Sequence, residues 1–391
     1  MSRAFLVVLD SVGCGGAPDA AAFGDEGANT LGHVARWCAA ERGRGLHVPT
    51  MDRLGLGAAI RLASGLDAPG LGAAPEGLWG AATEVSNGKD TPSGHWELAG
   101  LPVPWDWHYF PDAEPCFPPD LVAEVARLAG TDGILGNRHA SGTLIIEAEA
   151  EAHLRTGRPI CYTSVDSVFQ IAAHEAAFGL DRLYRLCEAI APRLHAMKVG
   201  RVIARPFVGD GPWERTANRR DYAIEPPAPT LCDAVQGAGG RVRGIGKIGD
   251  IFSMRGIDET TTGKDAKLMA DLAAAVDAMP DGSLTFANLV QFDSDFGHRR
   301  DPGGYAGHLE WFDAALAPIL ERLRPGDAMV LTADHGNDPT WRGSDHTRER
   351  VPVLVAGVPG GEAGLIGFAD VAAYVCKHLR IPVVGPGRAF G

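Results

Sequence analysis

The stretch AFLVVLD, residues 4–10, decides the fold. An apolar run near the start of the chain stops at a single aspartate. It is too short to span a bilayer or to serve as a signal peptide, and it suits a strand buried on both faces. Three further runs read in the same way: LTFANLVQFD (284–293), AMVLTAD (328–334) and VPVLVAG (351–357). Helical periodicity is plainest in TLGHVARWCAAER (30–42), KDAKLMADLAAAVDAM (264–279) and GHLEWFDAALAPILERLR (307–324). Short apolar strands alternating with longer helices predict an α/β protein whose sheet is mainly parallel and sandwiched by helices.

A chain of 391 residues exceeds what one compact core accommodates, so two domains are expected. Two passages break the α/β rhythm: LPVPWDWHYFPDAEPCFPP (101–119), crowded with proline and aromatics, and the proline-rich DYAIEPPAPT (221–230). Taken as crossings, they divide the chain into a core (1–103), a smaller inserted domain (104–222) and the rest of the core (223–391). The net charge of −13 argues against a general nucleic-acid binder, which needs a basic surface. A small anion remains accessible to a local cluster of arginines. The seven cysteines are scattered without a CxxC pair, the pattern of reduced thiols, which points to the cytoplasm. No stretch reads as a membrane span, and no heptad or apolar face marks a protein partner.

Three apolar runs end in aspartate: Asp10, Asp293 and Asp334. Ligands of open α/β sheets bind beyond the carboxyl ends of the strands, so three acids would meet on one rim. One such aspartate is ordinary turn chemistry. Here histidines accompany them: His298 in DSDFGHRRD, His335 in TADHGND and His346 in SDHTRER. Unneutralised carboxylates would repel one another, so a bound cation is the natural reason to gather them. Six oxygen and nitrogen donors suffice for two divalent ions, and mixed carboxylate and imidazole ligands favour Mn²⁺ or Zn²⁺ over Ca²⁺.

Two-metal sites commonly carry phosphoryl transfer, which calls for an acceptor. In GKDTPSGHWE (88–97), Thr91 followed by proline reads as a helix N-cap. A threonine hydroxyl at a helix N-terminus between two metals can also attack a phosphate. Lys89, Ser93 and His95 stand close enough in sequence to contact the same phosphate.

Together LDSVG, GKDTPSGHWE, YTSVDSVFQIAAHE, FDSDFGHRRD and TADHGNDPTWRGSDHTRE resemble the phosphopentomutases of the alkaline phosphatase superfamily, from residue 3 to about residue 358. The resemblance implies an alkaline-phosphatase-like core with a mobile inserted α/β cap, two Mn²⁺ ions and a phosphorylated threonine. It implies that Asp10, Asp334 and His335 ligate one metal, that Asp293, His298 and His346 ligate the other, and that Thr91 bridges both. The implied reaction interconverts ribose 1-phosphate and ribose 5-phosphate, and their 2-deoxy forms, through a bound 1,5-bisphosphate. It links nucleoside phosphorolysis to central sugar metabolism, with glucose 1,6-bisphosphate or ribose 1,5-bisphosphate as activator.

Arginines of the inserted stretch fit a small phosphosugar substrate: Arg201 and Arg205 in GRVIARPF, Arg219 and Arg220 in ANRRDY. Lys247, in GKIGDIF, could join them. Ser164 and Asp166 in YTSVDS resemble the family's substrate-contacting loop. Two departures stand out. Gln291 occupies a position where the family often has aspartate, and GCGG after Asp10 is rich in glycine. A metal-dependent phosphatase or phosphodiesterase would share the same ligands and differ in passing the phosphoryl group to water. A cofactor-independent phosphoglycerate mutase would use serine in place of Thr91, and a metal-binding protein without turnover would have no use for an activatable hydroxyl.

Overall fold

A computed structural model describes residues 2–164 and 167–391. The chain divides into two compact units, Met1–Pro104 with Pro226–Gly391, and Trp105–Glu225. Both transitions fall inside the proline-rich passages. In chain order come β1 (Arg3–Leu9), β2 (Leu78–Thr83), β3 (Leu135–His139), β4 (Ile160–Thr163), β5 (Val168–His174), β6 (Arg201–Gly209) and β7 (Trp213–Arg215). They are followed by β8 (Arg220–Ala223), β9 (Val242–Ile245), β10 (Glu259–Thr261), β11 (Leu284–Leu289), β12 (Asp327–Thr332), β13 (Val351–Ala356) and β14 (Gly361–Gly367).

Among the described residues of the first unit, eight strands form one sheet in the order β10-β9-β11-β1-β12-β13-β2-β14. Neighbours are parallel except at β13, which runs antiparallel to both β12 and β2. β1 lies at the centre with all seven residues buried, as its unbroken apolar run requires. The helix Phe368–Leu379 packs on β1, and Asp265–Ala278 packs on β11.

Two sequence expectations are corrected here. The run 284–293 is not one strand. β11 stops at Leu289, opposite the end of β1 at Leu9, and Asp293 lies on a wide π-helical turn, Phe292–Gly297. Gln291 draws the backbone off the ladder. Its main-chain N–H donates to Asp265 Oδ2 (3.2 Å), and its side-chain oxygen accepts from Asp265 N (2.8 Å). The helix expected at 307–324 spans Pro302–Leu320, because Asp301 caps it by accepting from Gly304 N and Pro302 supplies its first residue.

The second unit is a sheet in the order β3-β4-β5-β6-β7, with β8 also on β6. Side chains alternate across it. Phe169 and Ile171 pack with Leu186 and Ile190 of the helix Leu180–Ala196, and Ala172 packs with Ile145 and Ile146 of Gly142–Thr156. All seven cysteines are buried free thiols. No helix among the described residues is long and apolar enough to cross a membrane.

Candidate active site

The six ligand candidates come from four segments of the first unit. Asp10 follows β1, Asp334 and His335 follow β12, Asp293 lies on the π-helical turn with His298 as the residue that ends it, and His346 precedes β13. Asp10, Asp293, Asp334, His335 and His346 are buried. His335 Nε2 lies 3.5 Å from Asp10 Oδ1 and 3.3 Å from Asp334 Oδ2. His298 Nε2 lies 3.1 Å from Asp293 Oδ2, and His346 Nε2 lies 3.5 Å from Asp293 Oδ1. The donor atoms of Asp10, Asp334 and His335 all fall within 4.8 Å of one another, as do those of Asp293, His335 and His346. His335 thus stands between the two sets, stacked on His346 with ring centroids 4.0 Å apart.

All three imidazoles are turned the same way. The Nδ1 of His298 is held by Ser344 O (2.6 Å), that of His335 by Gly336 O (3.1 Å) and that of His346 by Lys89 O (2.8 Å). An Nδ1–H donated to a carbonyl leaves the Nε2 lone pair facing the cluster, the arrangement metal-binding histidines use. Burial, with Asp334 and Asp293 as negative neighbours, pushes the Asp10 carboxyl well above its ordinary range. Burial acts the same way on Asp293, but His346 and His298 outweigh it and hold that carboxyl low. Burial brings His335 down to about 4. Asp10 Oδ1 is buried without a hydrogen bond. So is Asp334 Oδ2, with the nearby His335 and His95 nitrogens out of line for donation. Orphaned buried carboxylate oxygens facing imidazole lone pairs fit a divalent cation.

Thr91 is the first residue of the helix Thr91–Leu98, not its cap. Asp90 caps it by accepting from Ser93 N (3.1 Å), which leaves the Thr91 hydroxyl uncommitted to capping, 3.5 Å from His335 Nε2. Asp-Thr-Pro offers two capping side chains, and the carboxylate takes the role. Gly94 lets this helix sit on the Asp334 loop: a Cβ there would lie 2.1 Å from Asp334 O. The neighbouring phosphate-contact candidates are otherwise engaged. Lys89 pairs with Asp25 (3.0 Å) and Asp345 (3.2 Å). The Ser93 hydroxyl donates to Asp90 (3.1 Å), and buried His95 hydrogen-bonds Thr91 O (2.9 Å) beside Asp334.

The substrate-contact candidates divide between the units. Lys247 belongs to the first unit, just after β9, where its charge lowers the Asp10 carboxyl against the effect of burial. Arg201 and Arg219 belong to the second and meet on one carboxylate. Arg219 forks onto Asp221 with two bonds of 2.7 Å, and Arg201 Nη1 lies 3.8 Å from it. Arg205 donates to Gln170, and Arg220 covers the Tyr184 ring. Ser164 follows β4, and Asp166 lies outside the described residues.

Several supports escaped the sequence reading. Glu97 accepts from Val85 N (2.9 Å) and Ser86 N (2.7 Å), and buried Arg348 ties Glu84 and Gly88 O to Asp19, so the loop ahead of Thr91 is clamped from both sides. Buried charges beside a loop leave no periodic signature. Glycine at position 13 has its reason too: a Cβ there would fall 2.4 Å from the Glu349 carboxylate and 2.8 Å from the Gly336 backbone.

Asp338, three residues beyond His335, is fully buried and accepts from His33 Nδ1 (2.5 Å). That hydrogen bond raises the His33 pKa against the effect of burial. A histidine raised in the fold contributes stability below its unfolded pKa near 6.5 and loses it as pH rises through the folded value. Denaturant unfolding of His33→Ala should therefore show a loss of about 1.5 kcal/mol at pH 5.5 that shrinks by pH 9.

The chain matches the sequence model of the Metalloenzyme superfamily over residues 2–383. It is 56% identical over 406 residues to the phosphopentomutase of Chelativorans sp. strain BNC1, with 100% of this chain and 98% of that protein covered. It is 54% identical over 406 residues to the phosphopentomutase of Rhizobium meliloti strain 1021, with both chains covered in full. Among solved structures, the PH0037 protein of Pyrococcus horikoshii aligns with 96% of each chain at a TM-score of 0.52 and 14% identity, a likeness of fold alone. With relatives more than half identical from end to end, and buried acids and imidazoles that could hold a metal ion at the carboxyl rim of its sheet, the chain belongs to the phosphopentomutases, isomerases of the metalloenzyme superfamily.

Proposed function

We propose that the chain interconverts ribose 1-phosphate and ribose 5-phosphate, and the 2-deoxy forms, through a phosphothreonine at Thr91 and a bound 1,5-bisphosphate. The observation that carries this reading is the Thr91 hydroxyl, set at a helix N-terminus 3.5 Å from His335 beside two sets of buried ligands. Asp10, Asp334 and His335 would hold one Mn²⁺, and Asp293, His298 and His346 the other. Bound there, the ions would neutralise charge on the phosphoryl oxygens and acidify the Thr91 hydroxyl.

In the first half-reaction the free hydroxyl of the sugar phosphate bonds to the phosphorus carried by Thr91. The Oγ–P bond breaks, and Thr91 Oγ takes up the proton. In the second, Thr91 Oγ bonds to the other phosphorus of the bisphosphate, and the departing sugar oxygen receives the proton. The N-terminal end of the helix Thr91–Leu98 presents its positive pole to the carried phosphate. In the second unit, which acts as the cap, Arg201 and Arg219 would grip the distal phosphate, pre-oriented by Asp221, with Lys247 as a further point charge. Ser164 and Asp166 would bind the sugar hydroxyls. Glucose 1,6-bisphosphate or ribose 1,5-bisphosphate would charge Thr91 at the start, and the buried free thiols favour a cytoplasmic setting.

The test supplies Mn²⁺, a trace of glucose 1,6-bisphosphate and ribose 5-phosphate, and follows ribose 1-phosphate and inorganic phosphate together. The isomer should accumulate to equilibrium with little free phosphate. Phosphate release without the isomer would overturn the mutase reading in favour of a phosphatase.

A further inference from the structure

The two oxygens of each clustered aspartate are treated differently. Asp10 Oδ2 accepts from the side-chain amide of Asn288 (3.0 Å), while its Oδ1 is buried without a hydrogen bond and faces His335. Asp293 Oδ1 accepts from the side-chain amide of Asn337 (2.7 Å) and lies 3.5 Å from His346 Nε2, while its Oδ2, closer to an imidazole, faces His298 Nε2 at 3.1 Å. Asp334 Oδ1 accepts from the main-chain N–H of Ser11 (3.1 Å), and its Oδ2 has no aligned donor. Asn288 and Asn337 are both fully buried.

The amide orientations are determined. Asn337 Oδ1 accepts from the Arg300 guanidinium, which also holds Gly297 O and Asp338 O, so its NH₂ must turn to Asp293. Asn288 sits on β11 opposite Val8, two residues before Asp10, and only its NH₂ can satisfy a carboxylate. A neutral amide suits this task. It occupies one lone pair, adds no charge beside a cation, and cannot compete as a strong ligand.

Resting on the two-centre reading proposed above, we infer that Asn288 and Asn337 are positioning residues, one for each metal centre. Each ties up one oxygen of a ligand aspartate and thereby presents the other as a single, aimed donor. Asn288 serves the centre of Asp10, Asp334 and His335, and Asn337 serves that of Asp293, His298 and His346.

The test titrates Mn²⁺ into the metal-depleted full chain, counts bound ions by electron paramagnetic resonance, and records the metal-free melting temperature. The wild type should take up two ions. Asn288→Ala and Asn337→Ala should each keep one tight ion and hold the second about 10–100-fold more weakly, with metal-free melting close to wild type. Adding His346→Ala to Asn337→Ala should remove nothing further, whereas adding it to Asn288→Ala should leave no tight ion. If an alanine variant fails to fold, Asn288→Ser or Asn337→Ser replaces it in the same titration. Two ions bound with wild-type affinity in both variants, or a fall in metal-free melting alone, would overturn the inference. A wild type that binds fewer than two ions overturns the two-centre reading itself, and this inference with it.

Discussion

Thr91→Ala is expected to lower isomerase turnover by at least ~10⁴-fold, because the variant has no oxygen to carry the phosphoryl group. Its fold should be intact. Asp90 caps the helix, alanine is a good helix former, and the neighbouring turn rests on Gly94 rather than on the threonine side chain. Mn²⁺ uptake should persist, since the six proposed ligands lie on other segments. Intact mass gives a second measurement. Incubation with glucose 1,6-bisphosphate should add one phosphoryl group to the wild type and to Thr91→Ser, and none to Thr91→Ala. An alanine variant that turns over within tenfold of wild type would remove Thr91 from the mechanism.

Asp10→Asn should do two opposite things: abolish activity and stabilise the metal-depleted protein. Donor atoms of Asp10 and Asp334 lie within 4.8 Å of each other. Two unit negative charges at that separation repel by about 3.5 kcal/mol at an effective dielectric constant of about 20. The positive charge of Lys247 offsets part of this, and burial adds to it. Asparagine keeps the shape and the acceptor for Asn288 while removing the charge. The metal-free variant should gain about 1–2 kcal/mol in denaturant unfolding, a gain that vanishes or reverses when Mn²⁺ is added, because the wild type then profits from ligation. A metal-free variant less stable than the metal-free wild type would mean that Asp10 is held by more than the amide and the cation.

The rim aspartates were legible because a buried parallel strand is an unbroken apolar run, and Asp10 and Asp334 end such runs. Asp293 was picked out as a ligand candidate from a strand end that the fold does not have. Periodicity cannot show that Gln291 bonds Asp265 and breaks the ladder after Leu289. That same contact accounts for the departure noted at 291: the amide serves Asp265 from both its main chain and its side chain, and its NH₂ reaches Asp295 at 2.6 Å. Asn288 and Asn337 stayed invisible because a single neutral amide in an apolar strand or a loop has no spacing signature. The partners of Lys89 and Ser93 were also hidden, since Asp25 lies 64 residues away in sequence and Asp90 competes with Thr91 for the capping role. Arg201 and Arg219 were read as phosphate ligands, and only the fold reveals that Asp221 joins them.

β1 has a consequence for how the protein comes into being. Of the strands in its sheet this one is made before the others, yet its partners β11 and β12 begin at Leu284 and Asp327. At about 5–20 residues per second, the ribosome keeps RAFLVVL waiting for roughly 15–65 s before both neighbours exist. Throughout that interval a strand with six consecutive apolar residues after Arg3 has both edges open, a form prone to pair with another nascent chain. Asp10 travels with it, and its neighbours in the buried cluster, Asp334 and His335, emerge later still. A centre built on Asp10, Asp334 and His335 would therefore be an event of late folding.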